Sequence, residues 1–175
     1  ILNSAASSRV AEIMTPEQRG DWAPVLSHIR IGLAMYGVGT GAAELGLQPV
    51  LSLETRVSKL VDIPAHEGVG YGFTGASDHD RTLAILSVGY ADGYPRSLGN
   101  GQGRVLWEGH LLPTVGRVCM DMITVDVTGL DVQPGDRMTL WGQQPGLHEV
   151  ATAAKTIPYE LLVRIGPRVR RVIER

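Results

Sequence analysis

The chain has 175 residues, of which 43% are hydrophobic and 19% charged, and its formal net charge is −2. This globular composition excludes long disorder and a fibrous repeat, and the near-neutral charge excludes the basic field that nucleic-acid binding requires. A single cysteine excludes an internal disulfide and a four-thiolate zinc site, whereas 22 glycines, about twice the usual share, indicate sharp turns or close backbone approaches.

The first 48 residues are predicted to differ in structure from the rest. Thr15, Pro16 and Gln18 have the spacing of a helix start, with Thr15 as N-cap and Gln18 three residues later. An apolar run follows over residues 29–36, and we predict a strand buried on both faces, as in a parallel sheet.

From residue 49 onward the pattern is that of antiparallel strands. Residues 50–63 alternate between apolar and polar side chains, and Lys59 interrupts the apolar face. Short strands separated by Gly, Pro and Asp turns predict an antiparallel barrel or sandwich. Further strands are predicted at 82–88, 104–107, 114–127, 137–141 and 168–173, with helical segments at 147–155 and 158–165.

Tyr71 is the first candidate site residue, because it stands between Gly70 and Gly72. With little bulk around it, its hydroxyl can meet a ligand, and a tyrosine can act as a general base. A packed tyrosine at a strand end is the alternative interpretation. The five histidines are scattered and none has metal-ligand spacing, so we expect no metal site.

Three further segments are candidates. Residues 89–96 form a shaped loop after a strand, with Tyr90 and Tyr94 as either site or packing residues. Arg117 and Asp121 interrupt an apolar strand-like run, which favours a structural ion pair between them. Arg30 lies inside an apolar stretch and needs a partner, either an anion, a ligand ring nitrogen or a core carboxylate.

Taken in order, these segments resemble one family, the bacterial alanine racemases, over nearly the whole chain. The resemblance is to the C-terminal portion of these enzymes, and several motifs in the right order and spacing carry it. They are residues 3–5 (Asn-Ser-Ala), 30–37, 69–72, 89–94 and 115–121.

The resemblance implies a mainly β fold: a C-terminal antiparallel β-barrel-like domain over residues 49–175, preceded over residues 1–48 by the last elements of a truncated (β/α)8 barrel. It also implies pyridoxal phosphate as cofactor. Ser4 and Asn3 would contact its phosphate, together with the backbone N–H groups of Gly32 and Leu33. Arg30 would face the pyridine nitrogen and keep it unprotonated, since two positive charges repel each other.

The resemblance further implies roles for four residues of the β domain. Tyr71 would be the base that acts on the α-proton of the L-enantiomer, and the backbone of Met120 would hold the substrate carboxylate. Tyr90 and Asp121 would line the way into the site. In this family these residues reach the barrel of the other subunit in a head-to-tail homodimer.

The family's Schiff-base lysine belongs to the upstream barrel and is not present in this chain. We therefore expect about half of an enzyme, inactive alone, whose full-length form interconverts L- and D-alanine and supplies D-alanine for peptidoglycan. A cytoplasmic location is expected, although fusion to a membrane domain upstream stays open. Two alternatives also stay open: a racemase for serine, lysine or a broad range of amino acids, and a non-catalytic β module of the same fold.

Overall fold

The computed structural model describes residues 2–3, 14–22, 29–39, 42 and 45–173. The chain divides into two compact units, Ile1–Leu51 and Ser52–Arg175. Within the described part, no helix combines the length and hydropathy needed to cross a bilayer.

The described residues of the first unit include two short parallel strands and one α-helix. Strand β1 (Leu2–Asn3) pairs with β2 (Ile29–Arg30), and helix α1 spans Pro16–Trp22. The helix begins as predicted: the Gln18 side chain accepts a hydrogen bond from the Thr15 N–H (2.9 Å), and the Gln18 N–H donates to the Thr15 hydroxyl (3.3 Å). This reciprocal pair is a capping box, which satisfies backbone donors at the helix start.

The strand predicted over residues 29–36 is wrong beyond Arg30. The chain turns at Gly32 into a 3₁₀ helix, Leu33–Tyr36, which ends at Gly37 with φ 66°. Of the apolar side chains after Arg30, Leu33 is buried, whereas Ile31, Met35 and Tyr36 are exposed. A continuous apolar run does not reveal which side chains are covered, so this segment could not be distinguished from a buried strand.

The second unit is a closed antiparallel barrel, which decides between the barrel and sandwich alternatives. Its strand order is β3-β4-β7-β6-β5-β8. The strands are β3 (Leu53–Ile63), β4 (Arg81–Leu86), β5 (Arg104–Trp107), β6 (His110–Val115), β7 (Ile123–Asp126) and β8 (Arg137–Trp141).

Burial alternates in β3 from Leu53 to Val57, as predicted, and the pattern changes at Lys59 for a structural reason. The pairing of β3 with β4 shifts register between Val57 and Lys59. A bulge adds a residue to one strand and changes which face the following side chains occupy. Lys59 can therefore interrupt the apolar face without entering the core.

All six strands contribute buried apolar side chains. Trp141, Met138 and Leu140 of β8 are fully buried, as are Leu83 and Leu86 of β4. Two helices follow β8: α2 (Leu147–Ala153) and α3 (Pro158–Arg164). They lie where helical segments are predicted.

Two predicted strands are wrong. Residues 114–127 are not one strand, because β6 ends at Val115 and β7 begins at Ile123. Gly116 between them has φ 66°, a left-handed conformation that interrupts a strand. Residues 168–173 do not form a closing strand either, since no strand is assigned after α3 within the described residues.

Strand pairing determines where the loops leave the barrel. Leu86 at the end of β4 lies opposite Ile123 at the start of β7, so the connections after β4 and before β7 emerge at the same end. Ile63 at the end of β3 lies opposite Arg81 at the start of β4, which places the origin of residues 64–80 at the other end.

Tyr94 is 1% exposed, and its hydroxyl has no hydrogen-bond partner among the described residues. Burial raises the pKa of Tyr94 well above its usual range. In the unfolded chain the tyrosine hydroxyl loses its proton at about pH 10, whereas in the folded chain it keeps the proton. Above that pH the folded state therefore binds more protons than the unfolded state. Stability is therefore lost as pH rises.

We expect the free energy of unfolding to fall above about pH 10, with Tyr94 contributing at most about 1.4 kcal/mol per pH unit. Urea unfolding between pH 9 and 11, compared with Tyr94→Phe, isolates this contribution because the variant lacks the ionising hydroxyl. Identical pH slopes in the two proteins would contradict the prediction.

Candidate active site

Tyr71 lies on a tight turn in the long connection between β3 and β4. Gly70 and Gly72 on either side have φ 64° and 75°, conformations that favour glycine. The turn is closed by hydrogen bonds from the Val69 N–H to the Thr74 carbonyl (3.0 Å) and from the Phe73 N–H to the Gly70 carbonyl (3.2 Å). The Tyr71 side chain is 72% exposed, so it is not the packed tyrosine of the alternative interpretation.

The base of this turn is anchored in the barrel. Val69 is buried in a cluster with Leu83 of β4 and Val115 of β6. Gly116 comes so close that a Cβ there would lie 2.9 Å from the Val69 carbonyl oxygen. The backbone below Tyr71 is therefore held while the phenol projects outward.

Tyr90 lies on a second turn, which is joined directly to the loop carrying Met120. The N–H groups of Tyr90 and Ala91 donate to the carbonyls of Cys119 (3.1 Å) and Met120 (3.0 Å). At Gly89 a Cβ would lie 2.2 Å from the Met120 carbonyl oxygen. Tyr90 and Met120, whose side chains are 42% and 53% exposed, are thus held side by side.

The expected ion pair between Arg117 and Asp121 is not the one that the structure contains. Asp121 instead accepts a hydrogen bond from Arg168 Nη2 (2.7 Å), and Arg168 Nε lies 3.2 Å from Asp92. These interactions with Asp121 and Asp92 raise the pKa of Arg168. Four residues of separation placed Arg117 and Asp121 close in sequence, but the 116–122 loop is not a strand and does not bring them together.

Arg117 lies beside the Tyr71 turn instead. A Cβ on Gly72 would be 3.1 Å from the Arg117 guanidinium carbon. With Arg96 and Asn100, Arg117 also lines a cavity of about 370 Å³. Two guanidinium groups make this cavity attractive to anionic groups such as a carboxylate.

The candidate cofactor residues belong to the first unit. Asn3 and Arg30 are paired partners of the two parallel strands, and the Arg30 side chain is exposed. Gly32 precedes the 3₁₀ helix that Leu33 begins. Ser4 lies outside the described residues, as does any side-chain contact of Asn3.

The second unit therefore brings Tyr71, Tyr90, Met120 and Asp121 onto connected loops. A phenol can move a proton, and a backbone N–H can bind a carboxylate. Sequence reasoning missed Arg168, which it places in a strand, and it missed that Arg96 and Arg117 line the same cavity. The sequence holds no local signal that Arg168 is the partner of Asp92 and Asp121, because it lies 76 and 47 positions from them.

No group of three His, Cys, Asp or Glu side chains that could hold a metal ion occurs in the described ranges.

Gly89→Ala should separate the Tyr90 turn from the Met120 loop, because the added methyl group cannot fit against the Met120 carbonyl. We expect a loss of about 1–3 kcal/mol in the free energy of unfolding, measured by urea denaturation. Gly146→Ala is the matched control, since no atom lies within 4 Å of a Cβ there. Its cost should stay below about 1 kcal/mol. Equal costs for the two variants would show that close approach at Gly89 does not matter.

Comparison with a family model and comparison with known proteins lead to the same family. The family model described as alanine racemase, C-terminal domain, matches residues 50–173. The alanine racemase of Aeromonas hydrophila is 41% identical over 175 residues, covering 97% of this chain and 47% of that protein.

Solved structures agree. The alanine racemase of Acinetobacter baumannii has a TM-score of 0.81 and 37% identity, over 95% of this chain and 45% of that one. The enzyme from Bartonella henselae, solved with covalently bound pyridoxal phosphate, has a TM-score of 0.77 and 41% identity, over 82% and 41% of the respective chains.

The chain spans about half the length of the relatives that it matches. The matched family region contains the whole barrel and both helices that follow it. The chain therefore belongs to the alanine racemase family and contains its C-terminal domain.

Proposed function

We propose that the full-length protein containing this chain interconverts L- and D-alanine by two-base α-proton transfer with pyridoxal phosphate. The observation that carries this proposal is the Tyr71 phenol, exposed on a turn whose backbone is fixed in the barrel. The Gly72–Arg117 contact brings that turn to the loop that carries Met120. A proton-transfer group and a carboxylate-binding N–H are thereby available within one unit.

The residues of this chain would divide the work. Tyr71 removes the α-proton of the L-enantiomer, or returns it in the reverse direction, while a second base on the opposite face comes from the upstream part. The Met120 carbonyl already accepts a hydrogen bond from the Ala91 N–H. The Met120 N–H is the group able to donate to a substrate carboxylate. Tyr90 and Asp121 line the way into the site.

The first unit contains groups whose charge and hydrogen-bonding capacity suit the cofactor. Arg30 supplies an exposed, permanently charged guanidinium, which would face the pyridine nitrogen and disfavour its protonation. The N–H groups of Gly32 and Leu33 at the start of the 3₁₀ helix, with Ser4 and Asn3, would hold the phosphate. When bound, pyridoxal phosphate would delocalise negative charge from the substrate α-carbon.

We place the domain boundary at residues 48/49, so that 1–48 end a (β/α)8 barrel and 49–175 form the β domain. The parallel pairing of β1 with β2 supports this division, because parallel strands are characteristic of such barrels and the second unit is antiparallel. The Schiff-base lysine would lie in the upstream part of the barrel.

We further propose a head-to-tail homodimer that acts in the cytoplasm and supplies D-alanine for peptidoglycan. Tyr71, Phe73 and Met120 support a partner surface, because these large apolar side chains are all more than half exposed in this chain. A symmetric pair would form two equivalent sites, each completed by the barrel of the other subunit.

Tyr71→Phe in the full-length enzyme should reduce racemisation by about 10²-fold or more, since the general base for one enantiomer is lost. Exchange of the α-proton of D-alanine with deuterated solvent should persist, while that of L-alanine should disappear. Proton NMR in D₂O measures both. Tyr159→Phe, which removes the hydroxyl of another exposed tyrosine, is the control and should retain full turnover.

Unchanged racemisation in Tyr71→Phe would remove Tyr71 from its assigned role. A panel of alanine, serine, lysine and other amino acids with the parent enzyme tests the substrate. Preference for an amino acid other than alanine would assign the protein to another racemase specificity of this family.

The 175-residue chain alone should not racemise alanine even with added pyridoxal phosphate, because the second base and the Schiff-base lysine are upstream. A coupled assay for D-alanine measures this, with the full-length protein as the positive control. Racemisation by the chain alone would contradict the division of the two bases between its two parts.

A further inference from the structure

Arg168 holds two carboxylates that belong to different loops of the candidate site. Its Nε lies 3.2 Å from Asp92 Oδ1, and its Nη2 lies 2.7 Å from Asp121 Oδ1. The guanidinium group is planar and fork-shaped, so it can satisfy two acceptors in fixed directions at once. The distance between the two carboxylates is therefore set by one side chain.

Asp92 links Arg168 to the turn that carries Tyr90. Its second oxygen, Oδ2, accepts a hydrogen bond from the Gly89 N–H (2.9 Å), and this interaction closes the turn that carries Tyr90. Asp92 is largely buried, with only 12% of its side chain exposed. Asp92 is thus held by the Gly89 N–H at one carboxylate oxygen and by Arg168 at the other.

Asp121 links Arg168 to the loop that carries Met120. It follows Met120, whose carbonyl accepts the hydrogen bond from the Ala91 N–H. Arg168 and these backbone bonds thus form a closed ring of contacts around the Tyr90 turn and the Met120 loop.

The backbone around Arg168 is also packed on the Tyr90 turn. A Cβ on Gly93 would lie 2.6 Å from the Arg164 carbonyl oxygen, and one on Gly166 would lie 3.5 Å from the Ala91 carbonyl oxygen. This close approach is independent of the charges, and it limits how far the Arg168 backbone can move away.

We propose that Arg168 is a positioning residue, which fixes Tyr90 and the Met120 N–H relative to each other for substrate binding. This inference rests on the proposed function. Arg168 and Asp121 are both about half exposed, and exposed ion pairs contribute little to global stability. Its effect should therefore appear in substrate binding rather than in folding.

The test uses the full-length protein with Arg168→Met and Arg168→Lys. In Arg168→Met, kcat/KM for alanine should fall about 10- to 100-fold, mainly through a higher KM, because the carboxylate-binding loop shifts. Arg168→Lys should recover part of the loss, since an ammonium can neutralise but cannot bridge both carboxylates in a fixed geometry. The melting temperature should fall by no more than about 2–4 °C.

Arg170→Met is the matched control, because it removes an exposed arginine two residues away. It should leave kcat and KM unchanged. A double variant, Arg168→Met with Asp121→Asn, should lose no more than the worse single variant if the two residues act through one contact.

Hydrogen exchange at the amides of Tyr90 and Ala91 provides a readout that needs no activity. Both amides should exchange faster in Arg168→Met than in the parent protein. If the parent protein racemises no amino acid, the proposed function fails. The positioning role of Arg168 is then decided by amide hydrogen exchange alone, and unchanged exchange rates in Arg168→Met overturn it. If the parent enzyme is active and kcat/KM of Arg168→Met stays within twofold of the parent value, the proposal is overturned whatever the exchange rates are.

Discussion

Two backbone hydrogen bonds join the Tyr90 turn to the Met120 loop, and the arrangement of the candidate site depends on them. They can form only because Gly89 has no side chain, which allows its Cα to lie against the Met120 carbonyl. Backbone bonds of this kind are short and directional, so they transmit position more faithfully than contacts between flexible side chains. These bonds hold Tyr90 and Met120 side by side.

The barrel supplies the framework for this joint. Antiparallel pairing of β4 with β7 places the connection after Leu86 and the connection before Ile123 at the same end of the barrel. Residues 64–80 begin at the other end, and their length allows the Tyr71 turn to reach Arg117. A rigid apolar core thus carries loops whose polar groups are free to meet a ligand, which is a common arrangement for functional sites.

The charged side chains of the barrel domain have a different role from its apolar core. Arg168 joins two acidic turns, while Arg96 and Arg117 line an open cavity. The first arrangement pairs each charge within the protein, and the second leaves a positive field directed at a small space. Both use arginine, whose planar group binds carboxylates in a defined orientation.

Patterns of local origin were readable in the sequence. The capping box at Thr15 and Gln18 involves residues three apart, and the alternation in β3 involves neighbours on one strand. The strand over residues 104–107 and the helices beginning at Leu147 and Pro158 were likewise predictable. The errors fell at Gly32, Gly116 and residues 168–173, where the chain departs from the strand conformation that its apolar pattern predicts.

By itself, the sequence determined the mainly β class, the change of pattern near residue 49, and the glycine-flanked tyrosine at position 71. Short-range sterics and hydrophobic periodicity are properties of neighbouring residues, and these features depend on nothing else. The strand pattern alone left a barrel or a sandwich open, and the tertiary structure confirms the barrel that the family resemblance implies. Only the tertiary structure decided that Arg168, rather than Arg117, pairs with Asp121. The ion pair of Asp92 with Arg168 joins residues 76 positions apart, and chain distance carries no information about which distant charges meet.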